Sequence, residues 1–276
     1  MAKGLANTTK KLQKPSKASG HTKKRNFLLP SVIALLIIAG FSWWIFNIWK
    51  QQKKVERLEE NYSNAFRVSI PASYTIHGID VSTHQSNINW QKVAAMKVNN
   101  VSVNFSFIKS TEGIDSKDDF FYRNYTQAKS NGLITGAYHF FIATKSGALQ
   151  AKNYIRNTPL STGDLPPVVD IENLYGASPN KMRARLYEYL QAIEAKYKVK
   201  PIIYTYIEFY ENYLGDQFKE YPLWVAHYEE PEKPRIEREW MFWQHSKEGH
   251  VNGIQKKVDM NVFYGDSSLL QKILIP

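Results

Sequence analysis

An irregular α/β barrel, preceded by a single N-terminal transmembrane helix, is the architecture this sequence predicts. Three observations carry it. Residues 27–49 form an unbroken run without a charged side chain. From about residue 70, β-rich runs alternate with amphipathic segments, and after Leu223 the strands continue with few helices between them. Several of those runs end in Asp or Glu, and the C-terminal strand ends of a parallel barrel form its open face.

The 276 residues carry a formal charge of +11 and no cysteine, which excludes disulfide scaffolds, thiolate metal sites and cysteine nucleophiles. Hydrophobic residues make up 43% of the chain, enough for a sizeable core, so wholesale disorder is excluded. The charge is unevenly placed. Residues 1–69 hold 13 Lys and Arg against 3 Glu, leaving 23 basic and 22 acidic residues beyond them. A near-neutral folded part has no surplus from which to build the basic face of a nucleic-acid binder.

Residues 1–26 are rich in Lys, Ser and Thr with no acid, and are expected to be a disordered basic tail. The next 23 residues, 27–49, are long enough at about 1.5 Å per residue to cross a hydrocarbon core of about 30 Å. Pro30 falls in the first turn, where its missing N–H is harmless, and Trp43, Trp44 and Trp49 gather at one end. A cleaved signal peptide would have a shorter apolar core and small residues at its end, so an uncleaved anchor is expected. The flank 1–26 carries +8 and 50–69 carries +2, which places the N-terminus in the cytoplasm and everything after the span outside. Residues 50–69, with Val55, Leu58 and Tyr62 at helical spacing, read as a stalk; the folded domain is expected over 70–276.

Strands are predicted at 75–82, 101–110, 133–141, 167–172, 201–206, 223–228, 241–245 and 258–263, with helices at 90–97, 118–131 and 147–157. The clearest helix is 179–197. Ser178 is its N-cap, Pro179 its first residue, and Met182, Leu186, Tyr189, Leu190, Ile193 and Tyr197 share one face. The alternation argues for parallel strands with right-handed crossovers, and the sparse tail after Leu223 argues against a regular eightfold repeat.

Acids mark the strand ends: Asp80 in HGIDVS, Asp170 and Glu172 in LPPVVDIE and, more loosely, Asp259 in KKVDMNVF. Asp170 and Glu172 are two apart, so on a strand both leave the same face at about 6.6 Å Cα spacing, while Val169 and Ile171 point into the apolar layer. Two carboxyls so close are not both comfortably ionised once water is partly excluded, and one pKa should rise. A protonated acid beside an ionised one is what glycosidic cleavage uses. Solvated loop acids or a metal site would show the same spacing.

Aromatic residues collect near the same ends: Tyr138 with His139 and Phe140, Tyr204 and Tyr206, Trp224 and Tyr228, and Trp243. They suit a cleft for flat sugar rings, although strands favour such residues for packing alone. The histidines show no HExxH spacing, and neither a nucleophile elbow nor a phosphate-binding glycine loop is present. No metal and no cofactor is expected.

The segments GIDVSTHQSNINW, FSFIKSTEG, GLITGAYHFF, LPPVVDIE, PIIYTY, YPLWVAHY, MFWQHS and VDMNVFYG, in this order over 76–265, resemble the motif series of glycoside hydrolase family 25, lysozymes (N-acetylmuramidases) with a TIM-like β/α barrel. The resemblance implies hydrolysis of the β-1,4 bond between N-acetylmuramic acid and N-acetylglucosamine in peptidoglycan, with net retention. It implies Glu172 as general acid and Asp170 as its partner, either orienting the substrate's 2-acetamido group as nucleophile, the favoured reading, or attacking the sugar itself. Asp80 and Asp259 match positioning acids, and Tyr138, Trp224, Tyr228 and Gln244 match substrate-lining positions, with Tyr204 beside them. Lys109 and Glu112 fit either a rim salt bridge or a substrate contact. Ser86, Asn89 and Ser110 depart from the family's usual Gly, Asp and Ala, and the first of these suggests a differently shaped loop after the first strand.

The implied partners are peptidoglycan glycan strands and, through 27–49, the lipid bilayer. Two other readings share the motif series: a peptidoglycan-binding tether without catalysis, and a glycosidase acting on another N-acetylated polysaccharide. Retention of every acid position argues against the tether.

Overall fold

In the computed structural model, which describes residues 28–276, eight strands close into a barrel. They are β1 (His77–Val81), β2 (Val101–Glu112), β3 (Ile134–Phe140), β4 (Val168–Asp170), β5 (Ile202–Tyr206), β6 (Leu223–Ala226), β7 (Phe242–Gly249) and β8 (Val258–Phe263). Strands β1 to β7 run parallel in sequence order. The last strand, β8, lies antiparallel to both β7 and β1 and closes the ring. All eight predicted strands are present, and β7 extends to Gly249, beyond the predicted end.

Alternation along each strand divides the core into two layers. Phe105, Phe107, Val168, Ile202, Trp224, Phe242 and Phe263 fill the barrel interior, with the rings of Phe107 and Trp224 stacked 4.5 Å apart. Gly78 and Gly136 face this filling, and a Cβ at either position would collide with the ring of Phe105 or Phe107. Ile79, Val81, Val169, Ile171, Ile203, Val225 and Met260 point outward into a second apolar layer.

Helices α2 (Trp90–Ala95), α3 (Phe121–Ser130), α4 (Gly147–Asn157) and α5 (Pro179–Tyr197) cover that outer layer after β1 to β4. The predicted caps act as read. Ser178 Oγ accepts from Lys181 N, and all six apolar residues named for α5 are buried. Beyond β5 the covering elements are a short helical stretch, Ile207–Phe209 continuing to Leu214, and a terminal helix α6 (Ser267–Ile273). Neither was expected, because each is too short to show a period.

The long N-terminal helix α1 runs over Leu28–Glu60. Its apolar part is long enough to cross a membrane, and none of it is buried within the protein. The basic tail expected over 1–26 lies outside the described residues. The chain forms two compact units that divide between Lys50 and Gln51. The stalk expected over 50–69 needs correction. Helix α1 stops at Glu60, and Tyr62–Ser63 pairs antiparallel with Val68–Ser69. Phe66, Val68 and Ile70 are buried in the outer core, and Phe66 O accepts from His250 N at 2.8 Å. Packing therefore starts ahead of residue 70, because this apolar triplet at alternate positions has a surface to cover.

Candidate active site

The open end of the barrel holds a cleft of about 270 Å³. Asp80, Tyr138, Asp170, Glu172, Tyr204, Trp224, Tyr228, Gln244 and Asp259 all line it, so the structure brings the nine predicted residues together. Asp259 reaches this end by a different route from the others. On an antiparallel β8 its place near the strand's N-terminus is the same end at which the parallel strands finish, and its Cα faces that of Asp80.

Asp80 sits at the centre of a polar network. One of its oxygens, Oδ2, accepts from Gln244 Nε2 at 2.9 Å and from Asn261 Nδ2 at 2.7 Å. Gln244 Oε1 in turn accepts from the hydroxyls of Tyr204 at 2.8 Å and Tyr228 at 2.7 Å. Asn261 Oδ1 accepts from Trp224 Nε1 at 2.8 Å. Each amide is thereby locked in one orientation, with its donors turned to a carboxylate. Sequence reasoning missed Asn261, whose signal was its position two residues after Asp259 and hence on the same face.

Burial dominates the electrostatics. Desolvation raises Asp80 to about 6 against the opposing hydrogen bonds from Asn261 and Gln244. Desolvation, followed by the charge of Asp80, raises Asp259 to about 9. Asp170 is held well above the ordinary carboxylate range, first by desolvation and then by the charge of Glu172. Asp259 is thus a neutral donor beside Asp80 at neutral pH. One carboxyl of the Asp170–Glu172 pair was expected to rise, and that of the buried Asp170 does. Glu172 lies just past the end of β4 and is half-buried.

The aromatic residues play unequal parts. Trp224 is fully buried and forms the floor, while Tyr138 and Tyr228 remain partly open to the cleft. His139 and Trp243 face the outer layer instead. His139 Nδ1 bonds Thr111 Oγ1 at 2.7 Å, and Trp243 Nε1 donates to His227 O at 2.7 Å. Lys109 lines the cleft and also pairs with Glu112 at 2.7 Å, so it belongs to both a salt bridge and the site. Phe140 lines the cleft as well, and Lys247, His84 and Ser82, which were not singled out from sequence, complete the lining.

Each of the three departing residues makes a local hydrogen bond. Ser86 adopts a positive φ of 54°, the conformation a glycine would take without strain, and its hydroxyl donates to Thr83 O. Asn89 caps α2 by accepting from Lys92 N at 3.1 Å, as an Asp would. Ser110 is buried and hydrogen-bonded to Thr158.

Coupled carboxyls above an aromatic floor, at the open end of an α/β barrel, fit an enzyme that cleaves bonds between sugars, and comparison with known proteins agrees. The sequence model described as Glycosyl hydrolases family 25 matches residues 79–254. Lysozyme M1 of Streptomyces globisporus is 35% identical over 210 residues, 71% of this chain and 70% of that protein. The protein named YegX in Escherichia coli is 44% identical over 207 residues, 75% of this chain and 76% of its own length. The crystal structure of a bacterial lysozyme from Streptomyces coelicolor covers 72% of this chain and 96% of its own, with 34% identity and a TM-score of 0.64. The chain belongs to glycosyl hydrolases family 25 and is a glycoside hydrolase of the lysozyme type.

Proposed function

We propose that this protein is a membrane-anchored lysozyme that hydrolyses the β-1,4 bond between N-acetylmuramic acid and N-acetylglucosamine with net retention, assisted by the substrate's acetamido group. The observation that carries this reading is the neighbouring carboxyls of Asp170 and Glu172, one buried and one half-open to the same cleft.

In the first step the acetamido oxygen attacks the anomeric carbon while Glu172 gives its proton to the departing O4. The bond to the leaving sugar breaks and an oxazolinium ring forms. In the second step Glu172, now ionised, takes a proton from water, and that water opens the ring from the face the leaving group vacated. Two inversions give retention. Asp170 Oδ1 is buried and has no hydrogen-bond partner among the described residues, so it is free to accept from the acetamido N–H. That bond favours the ionised form of Asp170. Asp80, with Asp259 as neutral donor beside it, orients the tyrosines through Gln244 and supplies negative potential for the developing oxocarbenium-like centre.

The anchor is the apolar part of α1, with the N-terminus in the cytoplasm by its charge flanks and the barrel outside the membrane, where peptidoglycan lies. Mass spectrometry of the fragments that the full chain releases from purified peptidoglycan tests bond and polymer together. Reducing-end N-acetylmuramic acid is the expected product. Release of reducing-end N-acetylglucosamine, or of nothing soluble, sinks the reading.

A further inference from the structure

The end of α1 meets the barrel through charge. Lys54 and Arg57 lie three apart and so on one helix face. Both reach the loop after β6: Lys54 Nζ donates to Glu230 Oε1 at 2.9 Å, and Arg57 pairs with Glu232. Glu230 is the hub. Its side chain is only 8% exposed, it also accepts from Arg235 Nη2 at 2.8 Å, and His227 Nε2 stands 3.8 Å away. Arg235 N donates to His227 Nδ1 at 3.1 Å, so residues 227–235 fold back around this one carboxylate. Apolar packing adds little here. Val55 and Leu58 line a cavity of about 540 Å³ together with Tyr62 and Val68, and Val55 is half-exposed. Attachment therefore rests on the ion pairs and the adjoining hairpin.

Two residues before Glu230 stands Tyr228, whose hydroxyl holds Gln244 and, through it, Asp80. A buried carboxylate stripped of one of its cations is strongly disfavoured, so the loop shifts to find water or another partner. Tyr228 and Glu230 belong to the same loop, which begins after Ala226. The family match begins at residue 79, so Lys54 and Arg57 lie outside the matched region.

We propose that Glu230 is a positioning residue that couples the end of α1 to the tyrosine wall of the cleft, so that Lys54 acts on substrate binding through Glu230 and Tyr228. The proposal rests on the reading of Tyr228 as a substrate-lining residue of a lysozyme. Lys54 and Arg235 approach Glu230 from two different elements, so reversing Lys54 sets a second carboxylate against Glu230 and draws Arg235 toward it, without touching the barrel.

The test uses the full chain in detergent micelles, as wild type, Lys54→Glu and Lys54→Arg, with soluble peptidoglycan glycan fragments as substrate. Lys54→Glu should raise KM about tenfold while kcat stays within about twofold, and Lys54→Arg should behave as wild type. Amide hydrogen exchange over 227–235 in the substrate-free protein should quicken about tenfold in Lys54→Glu alone. If KM and exchange both stay at wild-type values, the coupling is refuted. If exchange quickens but KM does not move, the link to substrate binding is refuted. If the wild type releases no product at all, the lysozyme reading fails, and exchange over 227–235 then decides whether the coupling stands.

Discussion

The two faces of the barrel wall treat protons in opposite ways. On the inner face Asp80, Asp170 and Asp259 are carboxyls pushed upward by burial. On the outer face of the same strands, His77 of β1, His139 of β3 and His245 of β7 are imidazoles pushed down, His77 to about 4 and the other two to about 3. Asp80 lies three residues from His77, and Gln244 is next to His245. Desolvation is the largest cause on both sides, and it favours the neutral form of each group. The inner face crowds carboxyls against one another, so the protonation of each depends on its neighbours. The outer face holds neutral rings in a packed layer, His139 stacked on Tyr189 at 5.0 Å, and has no chemistry to perform.

The largest effect that would break this contrast is on turnover. Glu172→Gln and Asp170→Asn should each lower the rate of glycan release by about 10²–10⁴ with the fold intact by circular dichroism, whereas His245→Gln should keep turnover within about threefold. A His245→Gln variant as inactive as Glu172→Gln would abolish the division between the faces.

Next in size is a packing test of the inner face. Gly78→Ala puts a methyl group against the ring of Phe105 and should destabilise the fold by about 1–3 kcal/mol in urea titration. An unchanged midpoint would mean that the barrel interior is looser than its ring contacts imply.

Proton linkage sharpens the comparison further. The folded pKa of Asp259, about 9, lies above its ordinary value, so the native state keeps a proton that the unfolded chain releases. The stability this provides is fully present below about pH 4 and is lost as pH rises toward 9. Asp259→Asn removes the dependence, so it should raise Tm over wild type more at pH 8 than at pH 4. A larger gain at pH 4 would reverse the assignment.

The smallest expected effect belongs to the outer face. His77 and His245 have folded values below the ordinary value of about 6.5, so their contribution is present above that pH and is lost as pH falls toward 4 and 3. His245→Gln should reduce the loss of Tm between pH 7 and pH 5 without moving the alkaline side.

Much of this was legible from residue patterns because the physics is local. Period-two apolar runs showed all eight strands, and Ser178–Pro179 with its six-residue face showed α5. The acids and tyrosines of the cleft were legible because barrel strands deliver their ends to one place. The direction of β8 was not, since a strand's sequence reads alike either way; Asp259 was placed at a strand end by motif, and its location near the start of an antiparallel strand explains why it is there. Asn261 was overlooked because an amide within an apolar strand carries no charge signature, and its value lies in Trp224 and Asp80, both distant in sequence. The hairpin at 62–69 was read as stalk because its burial depends on a surface supplied by residues near His250.

The reversed closing strand also governs when the site can exist during synthesis. Asn261 reaches Asp80 across 181 positions. A chain emerging from its N-terminus can pair β1 through β7 and bury most of its aromatic interior while one seam of the sheet stays open. Throughout that interval Asp80 keeps its water, and the crowding of carboxyls that disfavours the closed cleft has not yet been imposed. Insertion of β8 brings Asn261 and Asp259 to Asp80 together, after β1 to β7 have been made. The nascent chain is therefore without a complete cleft until β8 has appeared.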